Sequence, residues 1–269
     1  MRALALFISL LGYQPFLWAN TFGTTGALMG AHAATNQLDI SWTPQWSNLK
    51  AYYRFDGKLG ALASADVVPD LFGTSNATTT AAGMSYAAGK LEQGLTFNGT
   101  ANLTIPRTSP ANVCTSVTIM MWVKWNATTA TSWAALAGNY NPSACTDYGW
   151  YIQQHSNTKT MEFSINTSGN LNQADPTIAN VFDGTWRHVA ITISSSQALI
   201  YVDGVLDKTI SIIMGGGVCS PTAPLNFGGP MCDTRVPSGA MIDEFAIFNA
   251  ILTAPEISTI YNRQKNGIQ

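Results

Sequence analysis

The chain has 269 residues, of which only 10% are Asp, Glu, Lys or Arg, and its formal net charge is −2 at pH 7. Globular domains typically carry about 25% charged residues, so Ser, Thr, Asn, Gln and Gly must supply most of the polar surface here. Because the chain has no basic excess, nucleic acid and anionic membranes are disfavoured as partners.

The first residues have the pattern of an export signal. Arg2 precedes the apolar run Ala3–Leu11, as in the n- and h-regions of a secretory signal peptide. Cleavage could follow Ala19, at a suitable distance from that run, or Ala33, which ends an Ala-x-Ala triplet. No later segment has the 18 or more apolar residues of a membrane helix. We therefore expect a secreted or cell-surface protein, extracellular or periplasmic, without membrane insertion.

The body of the chain has the pattern of a series of short strands. Lys50–Gly57 is predicted as the first, and a Gly-containing strand block follows at Ala88–Pro106. Val117–Trp125 is apolar on both faces, which is typical of a buried sandwich strand. Further strands are predicted at Trp133–Asn139, Tyr148–Gln154 and Thr160–Ile165. Short strands separated by turn residues at this spacing indicate a β-sandwich.

The segment Trp186–Leu206 carries the strongest local signal. Two predicted strands flank Ser194–Ser196, and Asp203-Gly204 then leads into a third strand at Val205–Ile210. Asp-Gly suits a two-residue hairpin turn in which both residues adopt positive φ.

The chain closes with a predicted strand, Ala240–Asn249, and a short helix that extends to about Arg263. Thr253 and Glu256 have the spacing of a capping box, and Pro255 is tolerated in the first helical turn.

Several of these blocks resemble the motifs of one family, in the same order. They are AYYRFDG, AGKLEQGLTFNG with Gly94 and Gly99, WRHVA followed by YVDG, and IDEFAIFN followed by LTAPEISTIY. The sequence resembles LamG-like (laminin G 3 type) domains of the concanavalin A-like lectin/glucanase superfamily over about Leu49–Asn262. The resemblance implies an all-β, concanavalin A-like jelly-roll sandwich of two antiparallel sheets with a short C-terminal helix. The predicted organisation is a signal peptide and lead-in at 1–33, an N-terminal segment at 34–48 and the jelly-roll domain at 49–265.

The cysteines Cys114, Cys145, Cys219 and Cys232 agree with an oxidising compartment. Four cysteines allow three pairings. We favour Cys114–Cys145 and Cys219–Cys232, because each pair closes a local loop. None forms a C-x-x-C motif, so zinc binding and redox catalysis are disfavoured.

Catalysis by the glycoside hydrolases that share this jelly roll needs two carboxyl groups about 5 Å apart. The only glutamates are Glu92, Glu162, Glu244 and Glu256, and no two have the E-x-D-x-x-E-like spacing. Asp243 and Glu244 are adjacent, so we expect their side chains on opposite faces of one strand. We interpret His188 as a hydrogen-bonded structural residue. The sequence therefore predicts a protein that is not an enzyme.

The resemblance also implies a possible structural calcium ion, because many jelly rolls of this type hold one with a carboxylate on the last strand and another near the first. By position, Asp243 is the first candidate ligand, followed by Asp56 and Asp70. Calcium prefers 6–8 oxygen ligands, and irregular Gly/Asp turns can supply them. The alternative is that these aspartates cap turns.

Sugar binding on jelly rolls uses exposed aromatic rings that stack on pyranose faces. The candidate ligand contacts lie in or beside the middle strands: Trp125, Trp133, Tyr140, Trp150 and Tyr151. Trp122 and Trp186 match core positions of the family and should be buried.

These observations together predict an exported, non-catalytic binding or adhesion module that recognises glycan or a surface or matrix protein. Two alternatives remain open. One is a structural subunit of a cell-surface assembly, which would self-assemble, and the other is a divergent glycoside hydrolase.

Overall fold

The computed structural model describes residues 29–30, 38–39, 45–57, 59–128, 131–140, 148–167, 170–173, 176–212, 223–229 and 235–268. The chain divides into two compact units, Met1–Trp42 and Thr43–Gln269. In the first unit, strand β1 (Met29–Gly30) pairs antiparallel with β2 (Leu38–Asp39).

In its described residues, the second unit contains the remaining strands and one α-helix. The first strands are β3 (Leu49–Tyr53), β4 (Gly60–Ala61), β5 (Val67–Val68), β6 (Ala77–Thr79), β7 (Ser85–Ala88), β8 (Gln93–Thr96), β9 (Leu103–Ile105) and β10 (Val117–Lys124). The middle strands are β11 (Ala135–Tyr140), β12 (Tyr148–Gln154), β13 (Met161–Thr167) and β14 (Asn170–Gln173). The last strands are β15 (Arg187–Ile193), β16 (Gln197–Val202), β17 (Val205–Ser211), β18 (Leu225–Phe227) and β19 (Met241–Phe248), and helix α1 (Ala254–Lys265) follows.

These strands form two antiparallel sheets. The first sheet has the order β17-β16-β15-β10-β19-β8-β7-β4, and β3 also pairs with β19. The second sheet has the order β14-β13-β12-β11-β18-β9-β6-β5. The predicted sandwich of two antiparallel sheets with a short C-terminal helix is thus confirmed. Within the described residues, no helix is long and apolar enough to cross a membrane.

Strand β10 shows why the sequence folds this way. Ile119, Met121 and Val123 belong to the core between the sheets. Because side chains alternate along a strand, Met120 and Trp122 point to the other face of the first sheet. Both are also buried, which explains why the sequence is apolar at successive positions.

The hairpin predicted at Asp203-Gly204 is confirmed. Val202 pairs with Val205, and the two turn residues have φ of 50° and 78°, as a type I′ turn requires. Asp203 Oδ1 also accepts the His188 N–H at 2.9 Å. Its carboxylate therefore ties the turn to the neighbouring strand.

A β-bulge in β19 changes the direction of one carboxylate. Glu244 has a φ of 51°, and the register between β10 and β19 shifts between Met120 and Trp122. Trp122 lies directly opposite Asp243, and Trp122 and Glu244 both bond to the helix residue Gln264. Asp243 and Glu244 therefore share the helix-covered face, and the expectation that they point to opposite faces is wrong.

Helix α1 covers this outer face of the first sheet. Thr253 and Glu256 form the predicted capping box, with a Pro in the first turn. The Trp122 indole donates its Nε1–H to Gln264 Oε1 at 2.9 Å, and its ring stacks on Tyr261 with centroids 5.7 Å apart. These contacts join the helix to the centre of the sheet.

His188 lies in the same layer, opposite Trp122 in the neighbouring strand. Its ring centroid is 5.3 Å from that of Trp122 and 5.7 Å from that of Tyr261. It is 1% exposed, and neither ring nitrogen has a hydrogen-bond partner. The expected side-chain hydrogen bond of His188 is therefore wrong, and burial lowers the pKa of this histidine to about 3.

Of the two tryptophans expected in the core, Trp122 is buried. Trp186 is only half-buried, and the Lys124 ammonium lies 6.0 Å from its ring centre. The expectation is wrong for Trp186, because its position just before β15 leaves the indole at the surface, where a cation can approach it.

Candidate functional site

The outer face of the second sheet carries a row of residues in register across six strands, and all of them except one glycine have polar side chains. The members, in order, are Thr78, Thr104, Asn226, Gly138, Tyr151 and Ser164. Their chain neighbours Leu103, Phe227 and Phe163 belong to the core between the sheets, so the row points away from that core. The outer face of the second sheet is therefore lined with polar side chains along this row.

Next to this row, Gln153 on β12 lies opposite Glu162 on β13. Glu162 is 2% exposed. Its Oε1 accepts hydrogen bonds from Gln153 Nε2 at 2.9 Å and from Ser164 Oγ at 3.1 Å. Its Oε2 lies 2.6 Å from Nδ1 of His155. These donors satisfy a carboxylate that is buried without a neighbouring Lys or Arg among the described contacts.

His155 lies where β12 runs into the turn before β13. Its N–H donates to Thr160 O, and its carbonyl accepts the Thr158 N–H, which fixes the backbone of the turn. The side chain of His155 is 29% exposed, against 3% for Glu162. Nδ1 of His155 thus reaches inward to Glu162, while part of the ring meets solvent.

Trp133 lies beside this histidine. The two ring centroids are 5.3 Å apart with an interplanar angle of 70°, an edge-to-face arrangement. Trp133 is 40% exposed and has a φ of 64°. A bulky residue with positive φ is an outlier that the surrounding structure must impose. The backbone here places a large aromatic ring at the surface.

Gln154 holds the two loops that present these rings. Its side chain is fully buried; Oε1 accepts from Thr131 Oγ1 at 2.6 Å, and Nε2 donates to the carbonyls of Thr128 and Ser156. One amide thus bonds the loop before Trp133 and the turn after His155. This side chain therefore links the two segments that carry the rings.

The other aromatic candidates lie elsewhere. Trp125 stacks on Phe182 with centroids 3.8 Å apart, and Trp150 belongs to the core between the sheets. Tyr151 is in the polar row but only 4% exposed. This burial corrects the expectation that Trp125, Trp150 and Tyr151 present their rings to a ligand. The side chain of Tyr140 lies outside the described part of the structure.

Asp243, the first candidate ligand for calcium, has a carboxylate that accepts hydrogen bonds from backbone N–H groups. Asp243 Oδ2 accepts from the backbone N–H groups of Lys90 and Leu91 at 2.9 and 3.0 Å, and Oδ1 accepts from that of Glu244 at 2.8 Å. Burial raises the pKa of Asp243 to about 8, with a contribution from Asp56, and these N–H donors oppose the rise. Three N–H groups directed at a carboxylate do not fit a cation at the same oxygens.

The other two candidate calcium ligands, Asp56 and Asp70, differ in how many of their carboxylate oxygens have a partner. Asp56 accepts the Gln93 N–H and pairs with Arg54 at 2.6 Å, so it also does not fit a calcium ion. Asp70 is 4% exposed; its Oδ1 accepts the Ser75 N–H, while Oδ2 has no hydrogen-bond partner. In the part of the chain that the structure describes, no three His, Cys, Asp or Glu side chains could share a metal ion. Calcium at Asp70 stays a prediction.

Cys114 is disulfide-bonded, and the predicted pairing stays a prediction, because Cys145, Cys219 and Cys232 lie outside the described residues. His155 and Gln154 were not among the sequence-predicted site residues, and Glu162 was considered only as one of four glutamates without catalytic spacing. A signal for Glu162 was present: Glu162 and Ser164 alternate with Met161, Phe163 and Ile165, which predicts a polar outer face. The sequence around His155 gave no signal that this residue would contact Glu162.

Comparison with curated protein sequences finds no significant match. Among similar solved structures, the binding domain of Paraclostridial Mosquitocidal Protein 1 has a TM-score of 0.62 and 17% identity, over 80% of this chain and 52% of that chain. A second similar structure is domain 4 of AbnA, a GH43 extracellular arabinanase from Geobacillus stearothermophilus, in complex with arabinotriose. It has a TM-score of 0.58 and 18% identity, over 80% of this chain and 98% of that domain. The Trypanosoma rangeli sialidase in complex with the inhibitor DANA has a TM-score of 0.56 and 18% identity, over 81% of this chain and 33% of the sialidase chain.

The chain thus spans about half of the toxin binding domain that it matches (52%), and at these identities the likeness establishes the fold. The family itself is established by sequence, because residues 97–258 match the Laminin_G_3 model, described as Concanavalin A-like lectin/glucanases superfamily. This match covers more than half of the 269 residues and includes the signature strands β15 and β16 and the closing strand β19. The chain therefore belongs to the Laminin_G_3 family of the concanavalin A-like lectin/glucanase superfamily.

Proposed function

We propose that this domain is a non-catalytic binding module that holds a carbohydrate against Trp133. The observation that carries the proposal is the exposed indole of Trp133, which is held at positive φ beside His155. A large aromatic ring that is fixed before binding adds contact area at little cost in conformational entropy. Binding sites typically combine such an apolar surface with a few placed polar groups.

One comparison supports a ligand of this class, since a similar structure is an arabinanase domain in complex with arabinotriose. A second similar structure, the binding domain of a toxin, supports a binding role. The uncharged polar composition of the chain suits a neutral hydroxylated ligand. The apolar run Ala3–Leu11 favours an extracellular location, where such ligands occur.

The described residues give hydrolysis little support. Retaining and inverting glycosidases both need two carboxyl groups that flank the scissile bond. Glu162 is already bonded to Gln153, Ser164 and His155. Glu244 is buried under helix α1, where it bonds to Gln264 and Tyr52. Neither carboxylate faces solvent, so binding is the better proposal.

The test is a binding panel of arabinotriose, xylotriose, cellotriose, maltotriose and sialyllactose, followed by isothermal titration calorimetry with the tightest binder. We expect Trp133→Ala to weaken that binding by about tenfold or more, as removal of a central aromatic contact does. Phe72→Ala is the matched control, because Phe72 is also an exposed aromatic at 37% but lies in another loop, against Trp46. A panel without a binder, equal loss in both variants, or release of reducing sugar would overturn the proposal.

A further inference from the structure

The hydrogen bonds around Glu162 determine which nitrogen of His155 carries a proton. An ionised carboxylate only accepts hydrogen bonds. Oε1 of Glu162 already accepts hydrogen bonds from Gln153 Nε2 and Ser164 Oγ. The 2.6 Å contact between Oε2 and Nδ1 of His155 therefore needs Nδ1 as the donor. In a neutral imidazole the other nitrogen, Nε2, is then an acceptor.

Nε2 of His155 is available for a ligand. It has no hydrogen-bond partner among the described residues, and the side chain is 29% exposed. The ring also stands edge-on to the exposed indole of Trp133, with centroids 5.3 Å apart. A molecule that lies on Trp133 is therefore near the imidazole of His155, and the bond from Nδ1 to Glu162 orients that ring.

We infer that Nε2 of His155 accepts a hydrogen bond from a hydroxyl group of the carbohydrate, and that Glu162 is the positioning residue that keeps the proton of the neutral ring on Nδ1. The inference rests on the proposed function, since it names the polar contact of the same surface. A carboxylate that orients a histidine through Nδ1 is a general way to fix the tautomer of the ring. Gln153 and Ser164 in turn fix the carboxylate.

Glu162→Gln tests the assignment without removing any ring. Because Gln153 and Ser164 donate to the Oε1 position, the new amide should place its oxygen there and its NH2 group toward His155. Nδ1 must then accept, so the proton moves to Nε2 and the acceptor becomes a donor. Long-range ¹H–¹⁵N spectra at pH 8.5 report this directly. We expect protonated Nδ1 in the wild type and protonated Nε2 in Glu162→Gln.

Two substitutions of His155 separate its two nitrogens. His155→Asn can keep a donor near the Nδ1 position but has no Nε2, and His155→Gln can keep an acceptor near the Nε2 position. With the oligosaccharide that binds best in the panel, we expect His155→Asn and Glu162→Gln each to lose about tenfold in affinity, as for one hydrogen bond to a ligand. His155→Gln should stay within about threefold of the wild type. Thermal melting of each variant reports whether it folds.

The failure of this inference can be distinguished from that of the proposed function. A panel without a binder overturns both. Binding that depends on Trp133 but is unchanged in His155→Asn and Glu162→Gln overturns only the role of His155. Protonated Nε2 in the wild-type spectrum also overturns it, with or without a ligand. If Glu162→Gln does not fold, the wild-type spectrum and His155→Asn still decide the question.

Discussion

His188 is buried in its neutral form and should therefore contribute a loss of folding stability in mild acid. The ring is 1% exposed between the first sheet and helix α1, and neither nitrogen has a hydrogen-bond partner. Burial lowers the pKa of His188 to about 3, whereas an unfolded histidine titrates near 6.5. The unfolded state therefore takes up a proton that the folded state does not, over the whole interval between these values.

The sign and size of the effect follow from proton linkage. A depressed folded-state pKa leaves stability intact above about pH 6.5 and removes it as the pH falls toward 3. At pH 4.5, two units below the unfolded value, the loss amounts to about 2.7 kcal/mol. That is a large fraction of the roughly 5–15 kcal/mol by which domains are stable.

Asp243 acts in the opposite direction. Its folded-state pKa is raised to about 8, so the stability that it contributes is present in acid and is lost as the pH rises toward 8. The pH dependence of wild-type stability therefore combines the opposing contributions of His188 and Asp243. A substitution of His188 is needed to measure its contribution separately. His188→Phe keeps a ring of similar size, and it removes two nitrogens that have no partner, so we expect it to fold at neutral pH.

The assay is urea unfolding of both proteins at pH 4.5 and 7.5, followed by far-UV circular dichroism. Between pH 7.5 and 4.5 the wild type should lose about 2.7 kcal/mol more than His188→Phe does. Asp243→Asn serves as the control, since it should change the pH slope in the opposite sense. Equal pH slopes in wild type and His188→Phe would refute the reasoning.

Four further substitutions test other contacts. Gly89→Ala should destabilise the fold by about 1–3 kcal/mol in urea unfolding, because a Cβ there would lie 2.6 Å from Asp243 Oδ2. Gln154→Ala should cost about 1–3 kcal/mol, since it removes the hydrogen bonds that a fully buried amide makes to Thr131, Thr128 and Ser156, and proteolysis should then cut the loop before Trp133 faster. Thr253→Ala should cost about 1 kcal/mol through the lost N-cap, while exposed Thr259→Ala, the control, should cost less. Asp243→Asn should shift the melting temperature equally in calcium and in EDTA, and a shift only in calcium would restore Asp243 as a ligand.

Most of the fold could be predicted from the sequence, because its strongest signals are local. Asp203-Gly204 needs only its own φ preferences to form the hairpin, and the Thr253–Glu256 capping box is complete within four residues. The bulge at Glu244 could not be predicted, because a glutamate has no preference for a φ of 51°. The pairing of β10 with β19 and the bonds to Gln264 impose it, and those contacts are distant in the chain.

The candidate site was predicted only in part, because aromatic residues that look alike in the sequence differ in burial in the structure. Trp125 and Trp133 are eight positions apart, yet one stacks in the core and the other is exposed. The difference depends on how the loop after β10 turns, and buried Gln154 bonds to that loop from another strand. His155 had no sequence signal as a ligand contact, because its role depends on Glu162 across a hairpin.

The two outer sheet faces explain why binding is expected at Trp133 and not elsewhere. On the first sheet, helix α1 covers Trp122 and the buried carboxylate of Glu244, so a ligand would have to displace the helix. Along the polar row of the second sheet, Asn226 and Ser164 already bond to neighbouring side chains, so a ligand there would exchange one hydrogen bond for another with little gain. The exposed indole beside His155 gives up no existing hydrogen bond when it is covered, and contacts made there therefore add to affinity.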